Sequence, residues 1–341
     1  MSAPGRPQAL IPEPHGGEGT PLSAPGRPQA LIPEPHGGEG TPVSKGLSAG
    51  AFATLMLVAC MFGGNHVAAR IAFDHGLDIV TAVTFRSLGT ALVVGLLVWQ
   101  VRVALVFTAR QRRVLPLIGL LVAVQSLCIY SAVARMPVAL ALLAFNSYPM
   151  WAALWSRWLY GQRTDARALR AMPVLLVGLA LALDVTGAAS GLGARGQWAQ
   201  IGAGTALAVA AAAVFGVVLA LTQHEVATLD GRLRTAITMA MVGALALAAM
   251  AAQGGPQLPA DRTGWWALVA LTALYGTAFT ITFTLLPRIG VVGNSPLLNV
   301  EPVAALVMGW LLLDQAMAPV QVAGSLLVVA TVMALGWPRR R

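Results

Sequence analysis

Charged residues are scarce in this chain of 341 residues: they make up only 10% of it, whereas hydrophobic residues make up 57%. Ordinary soluble domains carry about 25% charged residues. A chain this apolar cannot cover a water-exposed surface and needs lipid as its solvent. The scarcity excludes a soluble globular enzyme, a disordered regulator and a nucleic-acid-binding protein, despite a net charge of +9.

Cysteine is almost absent as well, since Cys60 and Cys128 are the only two. Both lie inside apolar runs, so we expect small buried side chains rather than a disulfide or a metal site. The sequence also lacks the H-E-x-x-H, Walker and nucleophile-elbow motifs. One G-x-G-x-x-G match, GLGARG at 191–196, follows an apolar helix rather than a strand, and we interpret it as part of a linker at 191–198. We predict no metal, no cofactor and no enzymatic activity.

The N-terminal region differs from the rest of the chain. Residues 23–42 repeat residues 2–21 letter for letter, and the unit is rich in proline and glycine. Such a composition cannot bury enough apolar surface to fold. We predict a disordered tail over residues 1–46 without a function, and we hypothesise that translation begins later, for example at Val43.

From residue 47 onward, apolar segments of membrane-spanning length alternate with short polar breaks. They are mainly Leu, Val and Ala with scattered Gly, which is typical of helices that pack closely in lipid. The pattern predicts an all-α integral membrane protein with ten transmembrane helices. We place these spans at about 48–69, 78–99, 114–134, 137–156, 169–186, 199–222, 235–252, 265–286, 291–313 and 319–337.

Basic residues orient these spans. With the N-terminus inside, the outer loops carry only four of the 22 Lys and Arg residues, and these are Arg70, Arg135, Arg195 and Arg262. The excess on the other side predicts that both termini are cytoplasmic, in a bacterial-type inner (plasma) membrane. An aromatic belt at the helix ends agrees with this placement. It comprises Trp99, Trp158, Trp198, Trp265, Trp266 and Trp337.

The chain also repeats itself. One constant separation, that between Phe62 and Phe215, aligns a set of residues that are uncommon in membrane helices. The aligned pairs are Phe62-Gly63 with Phe215-Gly216, Arg135 with Arg288, Asn146 with Asn299, Pro149 with Pro302, and Gln162 with Gln315. Five helices per copy is an odd number, so the second copy must lie upside down in the membrane. We predict two inverted five-helix repeats, at 47–190 (TM1–5) and 199–338 (TM6–10), as in alternating-access transporters.

Each repeat contains an Asn and a Pro three positions apart, and these share one helix face. Proline removes a backbone hydrogen bond, and the freed carbonyl needs a partner or a water-lined cavity. The amide of Asn146 or Asn299 can supply that donor. We therefore predict structural kinks at Pro149 and Pro302, where each Asn either satisfies the kink or lines a cavity and contacts substrate.

Four segments resemble the drug/metabolite transporter superfamily in its EamA-like branch. The resemblance covers about residues 47–337 and implies a ten-helix secondary transporter, often an exporter of amino acids or other small metabolites. The segments are FGGNHVAARIAF at 62–73, TFRSLGTALV at 84–93, ALLAFNSYPMWAALWSRWLYGQR at 141–163 and LLNVEPVAALVMGWLLLDQ at 297–315.

The chain departs from the family pattern at one position in each repeat. The family often ends these two helices with Gly-Glu, whereas Gly161-Gln162 and Asp314-Gln315 stand here. Any role of that Glu in conformational change must be absent from this chain or carried out differently.

Ionisable residues inside the spans are candidates for the site, because charge in lipid is costly and normally faces a cavity or a partner. Arg86 either binds a substrate carboxylate or anchors a helix end or an acidic residue. Glu301 either couples transport to protons or binds an amine, or it is a hydrogen-bonded structural carboxyl group, for which Arg86 is one candidate partner. His66 is a second proton-coupling candidate, or it makes a hydrogen bond at a helix end.

Polar and aromatic neighbours complete the predicted site. Aromatic residues in such helices are more often packing than contacts, yet three of them can line an amphipathic cavity. The predicted substrate-binding set is Asn65, Arg86, Tyr130, Asn146, Trp151, Tyr275, Asn299 and Glu301.

We therefore predict a secondary active transporter that exports a small metabolite such as an amino acid by alternating access. Its partners would be membrane lipid, the small-molecule substrate and a proton, but not nucleic acid. An alternative is a drug or organic-cation exporter that depends on Glu301. A membrane-embedded enzyme fits less well, because the ionisable groups are scattered, and a channel would need pore-lining charge rings that the sequence lacks.

Overall fold

The computed structural model describes residues 49–162, 166–284 and 300–336, and the predicted tail at 1–46 lies outside them. All regular secondary structure in that part of the chain is helical, as predicted. The described helices are α1 (Ala49–Asp74), α2 (Ile79–Gln100), α3 (Ala109–Arg135), α4 (Val138–Phe145), α5 (Tyr148–Tyr160), α6 (Ala166–Ala182), α7 (Gly193–Glu225), α8 (Gly231–Ala252), α9 (Arg262–Thr284), α10 (Glu301–Leu313) and α11 (Pro319–Gly336).

Seven helical segments among these residues are long and apolar enough to cross a membrane. Six belong to single helices, and the seventh, Val138–Tyr160, combines α4 and α5. Three shorter apolar helices lie in α6, α10 and α11. Many large apolar side chains, such as those of Leu92 and Leu312, are more than 60% exposed on the helix surfaces. Lipid must cover so much apolar surface, so the chain is a multi-pass membrane protein.

The fourth predicted span, 137–156, is not one continuous helix. It breaks between α4 and α5 at Asn146 and Ser147, just before Pro149, which is the second residue of α5. The ring of a proline cannot donate a backbone hydrogen bond and clashes with the preceding turn. The side-chain bond differs from the predicted one. Pro149 frees the carbonyl of Phe145, whereas Nδ2 of Asn146 donates to the carbonyl oxygen of Leu142 at 3.0 Å, which also accepts from the backbone N–H of Asn146. The ninth predicted span, 291–313, is described only from residue 300.

Two helices begin earlier than predicted. α3 begins at Ala109 rather than near 114, because Thr108 and Gln111 form a capping box at its start. α7 begins at Gly193, so most of the segment predicted as a linker at 191–198 is helical. The side chain of Gln197 in its first turns donates to the carbonyl oxygen of Leu183 at 2.9 Å and fixes this segment against the end of α6.

The prediction that both cysteines are buried is wrong for Cys60, whose side chain is exposed, whereas Cys128 is half-buried. A thiol behaves as a small apolar group, so a lipid-facing position on α1 suits it as well as the protein interior does. Both cysteines are free.

The helices pack in antiparallel pairs. α2 lies against α8, α6 against α11, α1 against α9 and α3 against α7. The start of α2 meets the end of α8, where Asp78 and Gln257 exchange two hydrogen bonds of 3.3 Å. At the start of α11, Nε2 of Gln321 donates to the carbonyl oxygen of Ala182 at the end of α6, at 3.3 Å. Both pairs therefore run in opposite directions.

Glycine permits the close approach of α6 and α11. A Cβ atom added to Gly324 would lie 2.5 Å from the backbone nitrogen of Ala182, and one added to Gly178 would lie 3.2 Å from the carbonyl oxygen of Gly324. Small residues at such crossings let membrane helices gain van der Waals contact, which is their main source of association energy.

Candidate functional site

A cavity of about 210 Å³ lies among the helices of both halves of the chain. Its wall combines aromatic rings with a few polar and charged groups, which is typical of small-molecule sites. The lining residues are Phe62, His66, Arg86, Gln125, Ile129, Leu142, Phe145, Asn146, Tyr148, Phe215, Tyr275, Phe279 and Glu301.

Arg86 reaches the cavity from the middle of α2 and is only 2% exposed. Its guanidinium carbon lies 3.9 Å from the ring centroid of Tyr275 and 4.7 Å from that of Tyr130. One terminal nitrogen donates to the hydroxyl of Ser126 at 2.9 Å. Cation–π contacts and a charge-assisted hydrogen bond together hold the guanidinium in one position. Its Nε has no hydrogen-bond partner among the described residues.

Asn65 and Tyr130 support Arg86 from behind the cavity wall. Both are fully buried, and the hydroxyl of Tyr130 donates to Oδ1 of Asn65 at 2.8 Å. This bond orients the Tyr130 ring under the guanidinium. The two residues were predicted as substrate contacts, but neither lines the cavity in this conformation. Tyr130 contacts Arg86, and Asn65 contacts Tyr130.

Glu301 pairs with His66 rather than with Arg86. Glu301 is the first residue of α10, and its Oε1 lies 3.6 Å from Nε2 of His66 on α1. No ion pair joins Glu301 to Arg86 among the described residues, so the pairing considered from the sequence is wrong. Gly63 permits the contact, because a Cβ atom there would lie 3.0 Å from the carbonyl oxygen of Glu301.

His66 lies within α1 and not at its end. It is 8% exposed and occupies the middle of α1. Its ring centroid is 5.4 Å from that of Tyr130, which places it between the Arg86 support and Glu301. Its Nδ1 has no hydrogen-bond partner among the described residues.

The other predicted residues have different positions. Asn146 lines the cavity at the break between α4 and α5, and Pro302 is the second residue of α10. Trp151 lies outside the cavity, on α5 beside α7, where a Cβ atom at Gly216 would come within 2.8 Å of it. Asn299 lies outside the described residues.

The sequence reasoning predicted Tyr275, which lines the cavity, but missed the other aromatic rings of its wall. Phe62, Tyr275 and Phe279 form one aromatic cluster with ring centroids 4.6 to 6.0 Å apart. A second cluster on the other side has centroids 5.2 to 5.6 Å apart, and its members are Phe145, Tyr148 and Phe215. The repeated Phe-Gly pair was a usable signal, because each copy supplies one phenylalanine to one cluster.

Gln125 is a second missed residue. It is half-buried and lines the cavity from α3, one residue before Ser126. Its amide carries both a donor and an acceptor, so it can meet either end of a polar substrate. A lone glutamine in an apolar helix gives no periodic signal, and its role depends on which face of α3 meets the cavity.

The two glutamines that replace the family's Glu make contacts between distant segments. Oε1 of Gln315 accepts from the backbone N–H of Val138 at 3.1 Å, at the start of α4. Nε2 of Gln162 lies 2.7 Å from Nε2 of His224 at the end of α7. These neutral side chains tie the two halves together without adding charge.

An ion pair joins the start of α3 to the end of α7, on the face that carries the loop between α2 and α3. The guanidinium of Arg110 bonds the carboxylate of Glu225 with two nitrogens, and the hydroxyl of Tyr160 donates to the same carboxylate at 2.8 Å. The Tyr160 ring stacks on His224 with centroids 3.9 Å apart. This cluster connects α3, α5 and α7.

The described residues contain no group of three or more His, Cys, Asp or Glu that could hold a metal ion. The groups that line the cavity include Arg86, the His66–Glu301 pair, two side-chain amides and several aromatic rings. These groups can bind and orient a small amphipathic molecule.

Comparison with known proteins gives the family. The model of the EamA-like transporter family matches the chain twice, at residues 50–183 and 202–337. No curated protein matches the chain. Among matching solved structures, one crystal structure shares 18% sequence identity and a TM-score of 0.54, over 84% of this chain and 96% of its own. That likeness shows the fold alone. The double match confirms the resemblance inferred from the sequence: this chain belongs to the EamA-like transporter family and is a membrane transporter of small molecules.

Proposed function

We propose that this chain is a secondary active transporter that exports a small zwitterionic metabolite, such as an amino acid, by alternating access. One observation carries the proposal. The cavity is shared by the two family matches, with Arg86 supplied by the first and Glu301 by the second. A site between two repeats opens to alternate sides when one repeat rocks against the other.

The proposed architecture is ten transmembrane helices in two inverted five-helix repeats. The repeats occupy 47–190 and 199–338, with a tail at 1–46. The antiparallel packing of α2 on α8 and of α6 on α11 supports the inversion, because each of these pairs joins equivalent helices of the two family matches. Equivalent helices that run in opposite directions belong to copies related by a dyad in the membrane plane.

The charges of the cavity suit a zwitterion. The guanidinium of Arg86 would receive a carboxylate, and Glu301, whose side chain is 24% exposed, would receive an ammonium group. The two aromatic clusters would enclose the apolar part of the substrate. Asn146 and Gln125 would bind its remaining polar atoms, while Asn65 and Tyr130 position Arg86. We retain Asn299 and Trp151 as proposed members of the site in a second conformation.

Proton coupling is proposed at the His66–Glu301 pair. Glu301 can bind an ammonium group only as a carboxylate, so a proton on the pair and a cationic substrate compete for one place. Competition of this kind yields exchange of a proton for substrate. His66 lies within 3.6 Å and can exchange the proton with Glu301.

We further propose that both termini are cytoplasmic and that the protein lies in a bacterial-type inner membrane. The excess of arginine on the face that carries the loop between α2 and α3 supports this orientation. The exposed Trp99 and Trp158 lie near helix ends, as residues of an interfacial belt do.

The second candidate is export of an organic cation. It is favoured by the position of Arg86 between two tyrosine rings, because the electron-rich faces of these rings already stabilise its charge without a substrate anion. Glu301 would then be the dominant charge in the cavity, and Arg86 would only shape the wall.

Exchange assays in proteoliposomes test both proposals. Full-length protein is reconstituted and preloaded with unlabelled amino acid or with an organic cation, and uptake of the labelled compound is measured. An amino-acid carrier should lose saturable exchange in Arg86→Ala and in Glu301→Gln, whereas a cation exporter should lose it mainly in Glu301→Gln. Arg195→Ala is the matched control, since Arg195 is exposed in the first turn of α7. Absence of saturable exchange for both compound classes in the wild type would refute the proposed function.

A further inference from the structure

The loop between α2 and α3 exposes apolar side chains at one end of the helix bundle. Leu105 and Val106 are 67% and 76% exposed, and Trp99 at the end of α2 is 75% exposed. A recess of about 640 Å³ lies between Trp99 and Leu105, with Gly95 and Arg102 also in its wall. Apolar side chains that are exposed at a helix end, outside the packed bundle, are suited to the membrane depth at which acyl chains meet head groups.

Arg102 lines this recess, and two further arginines without counter-charges follow in the first turns of α3. Arg102, Arg112 and Arg113 are exposed, and they form no ion pair or side-chain hydrogen bond among the described residues. Arg110 differs, since Glu225 neutralises it. The sequence from 100 to 115 contains no acidic residue. One exposed arginine without a counter-charge therefore lies in the recess wall, and two more lie on the helix that begins just after the exposed Leu105 and Val106.

The backbone fixes one of these arginines at the rim. α2 ends in two hydrogen bonds typical of a Schellman motif, from the N–H of Arg102 to the carbonyl of Trp99 and from the N–H of Val103 to that of Val98, both 3.1 Å. The motif requires a left-handed residue, and Arg102 takes a φ of 53° where glycine is usual. The Schellman motif therefore fixes the backbone of Arg102 at the end of α2, in the wall of the recess.

We propose that this loop binds an anionic phospholipid, with the phosphodiester at Arg102, Arg112 and Arg113 and an acyl chain against Trp99 and Leu105. Guanidinium groups bind phosphate oxygens in a fixed fork geometry, so they suit this head group. A zwitterionic lipid offers a weaker match, because its own ammonium group opposes the arginines. A free phosphate would leave the apolar side chains uncovered. The site is separate from the transport cavity, so the proposal does not depend on the substrate.

Native mass spectrometry of the full-length protein tests the proposal. Detergent-purified protein is mixed with equal amounts of a phosphatidylglycerol and a phosphatidylcholine of the same acyl chains, and the retained lipids are counted. We expect preferential retention of phosphatidylglycerol. Each arginine near a charged membrane surface contributes about a fivefold preference at low salt, so the combined Arg102→Gln, Arg112→Gln and Arg113→Gln variant should lose most of the selectivity.

Three comparisons make the result specific. The corresponding triple Arg→Lys variant should keep most of the preference because it keeps the charges, and Arg195→Gln should keep all of it. Trp99→Ala should retain less of both lipids. Excess glycerol phosphate should not displace the lipid, whereas higher ionic strength should reduce the preference of the wild type.

Equal retention of the two lipids by the wild type would overturn the proposal. Wild-type selectivity in the triple glutamine variant would also overturn it. So would a result in which glycerol phosphate displaces the bound lipid as effectively as free phosphatidylglycerol does. Should the glutamine variant fail to fold, the ionic-strength series on the wild type gives the same decision, because a preference that salt does not reduce excludes an electrostatic head-group site.

Discussion

Tyr275 gives the sharpest test of how the cavity holds its buried charge. Its ring lies under the guanidinium of Arg86 at 3.9 Å and contacts Phe62 and Phe279 at centroid distances of 6.0 and 4.6 Å. Its hydroxyl has only a 4.0 Å contact with the sulfur of Met239. Tyr275→Leu removes the ring face, whereas Tyr275→Phe removes only the hydroxyl. The two substitutions therefore separate the two parts of the side chain.

The structure sets the expected magnitudes. A desolvated cation–π contact contributes up to about 2 kcal/mol, and each aromatic pair adds about 0.5 to 1.5 kcal/mol beyond its buried area. We expect Tyr275→Leu to lower the free energy of unfolding by about 3 kcal/mol, because leucine refills only part of the space. Tyr275→Phe should lower it by about 0.5 kcal/mol or less, since a long contact to sulfur is a weak hydrogen bond.

The assay is unfolding of the full-length protein in mixed micelles at increasing mole fractions of sodium dodecyl sulfate. It needs no knowledge of the substrate. Transport by the two variants, measured after reconstitution of the same purified proteins into proteoliposomes, should follow the same order, because Arg86 loses its fixed position only in Tyr275→Leu. Equal losses of stability in both variants would show that the hydroxyl and not the ring face supports Arg86, and the reasoning would be refuted.

Two further predictions concern the packing and the pH dependence of the fold. Gly324→Ala should lower the free energy of unfolding by about 1 to 3 kcal/mol, because its Cβ atom would meet the backbone of α6. Gly95→Ala is the control: its Cβ atom would meet nothing within 4 Å, so stability should stay unchanged or rise. Equal losses of stability in the two variants would contradict the packing argument. The backbone N–H of Gly264 and the ring of His75 hold the pKa of Asp261 below its ordinary value of 3.8, so its stabilising contribution is complete above that pH and is lost as the pH falls below it. The melting temperature should therefore fall less steeply in acid for Asp261→Asn than for the wild type, and parallel curves would refute the assignment.

The helical membrane fold was predictable because it depends on local composition. Lipid cannot satisfy backbone groups, so an apolar segment of spanning length must be helical wherever it lies in the chain. The family followed from segments such as 62–73 and 141–163, and the double family match confirms it. Helix ends were less predictable: α3 begins before its apolar run because Thr108 and Gln111 cap it.

The break between α4 and α5 was predictable in part. Pro149 indicated a weakened turn, and the helix breaks just before it. The side chain of Asn146 bonds the carbonyl of Leu142 and not that of Phe145, which the proline frees. A full separation into two helices depends on what packs around that turn. Phe145 and Tyr148 on either side of the break both turn to Phe215 of the other half. No local pattern contains that contact.

The candidate residues show the same difference between what local sequence indicates and what helix packing decides. Their types were recognisable because a charge inside an apolar helix is costly wherever it lies, and this singled out Arg86, His66 and Glu301. Their partners were not recognisable, since a side chain pairs with whatever the helix packing brings within a few ångströms. Arg86 has two tyrosine rings and Ser126 as partners, and Glu301 has His66.

The amino-acid sequence alone therefore determined the solvent, the helical class, the internal repetition and the family of this protein, because each follows from composition or from order along the chain. Only the tertiary structure decided which buried groups meet and which of them face the cavity. That decision rests on close helix crossings, such as the one at Gly63, where the absence of a single Cβ atom lets α1 approach α10 and brings His66 to Glu301. Such contacts join residues far apart in sequence, and their geometry exists only once the helices have packed.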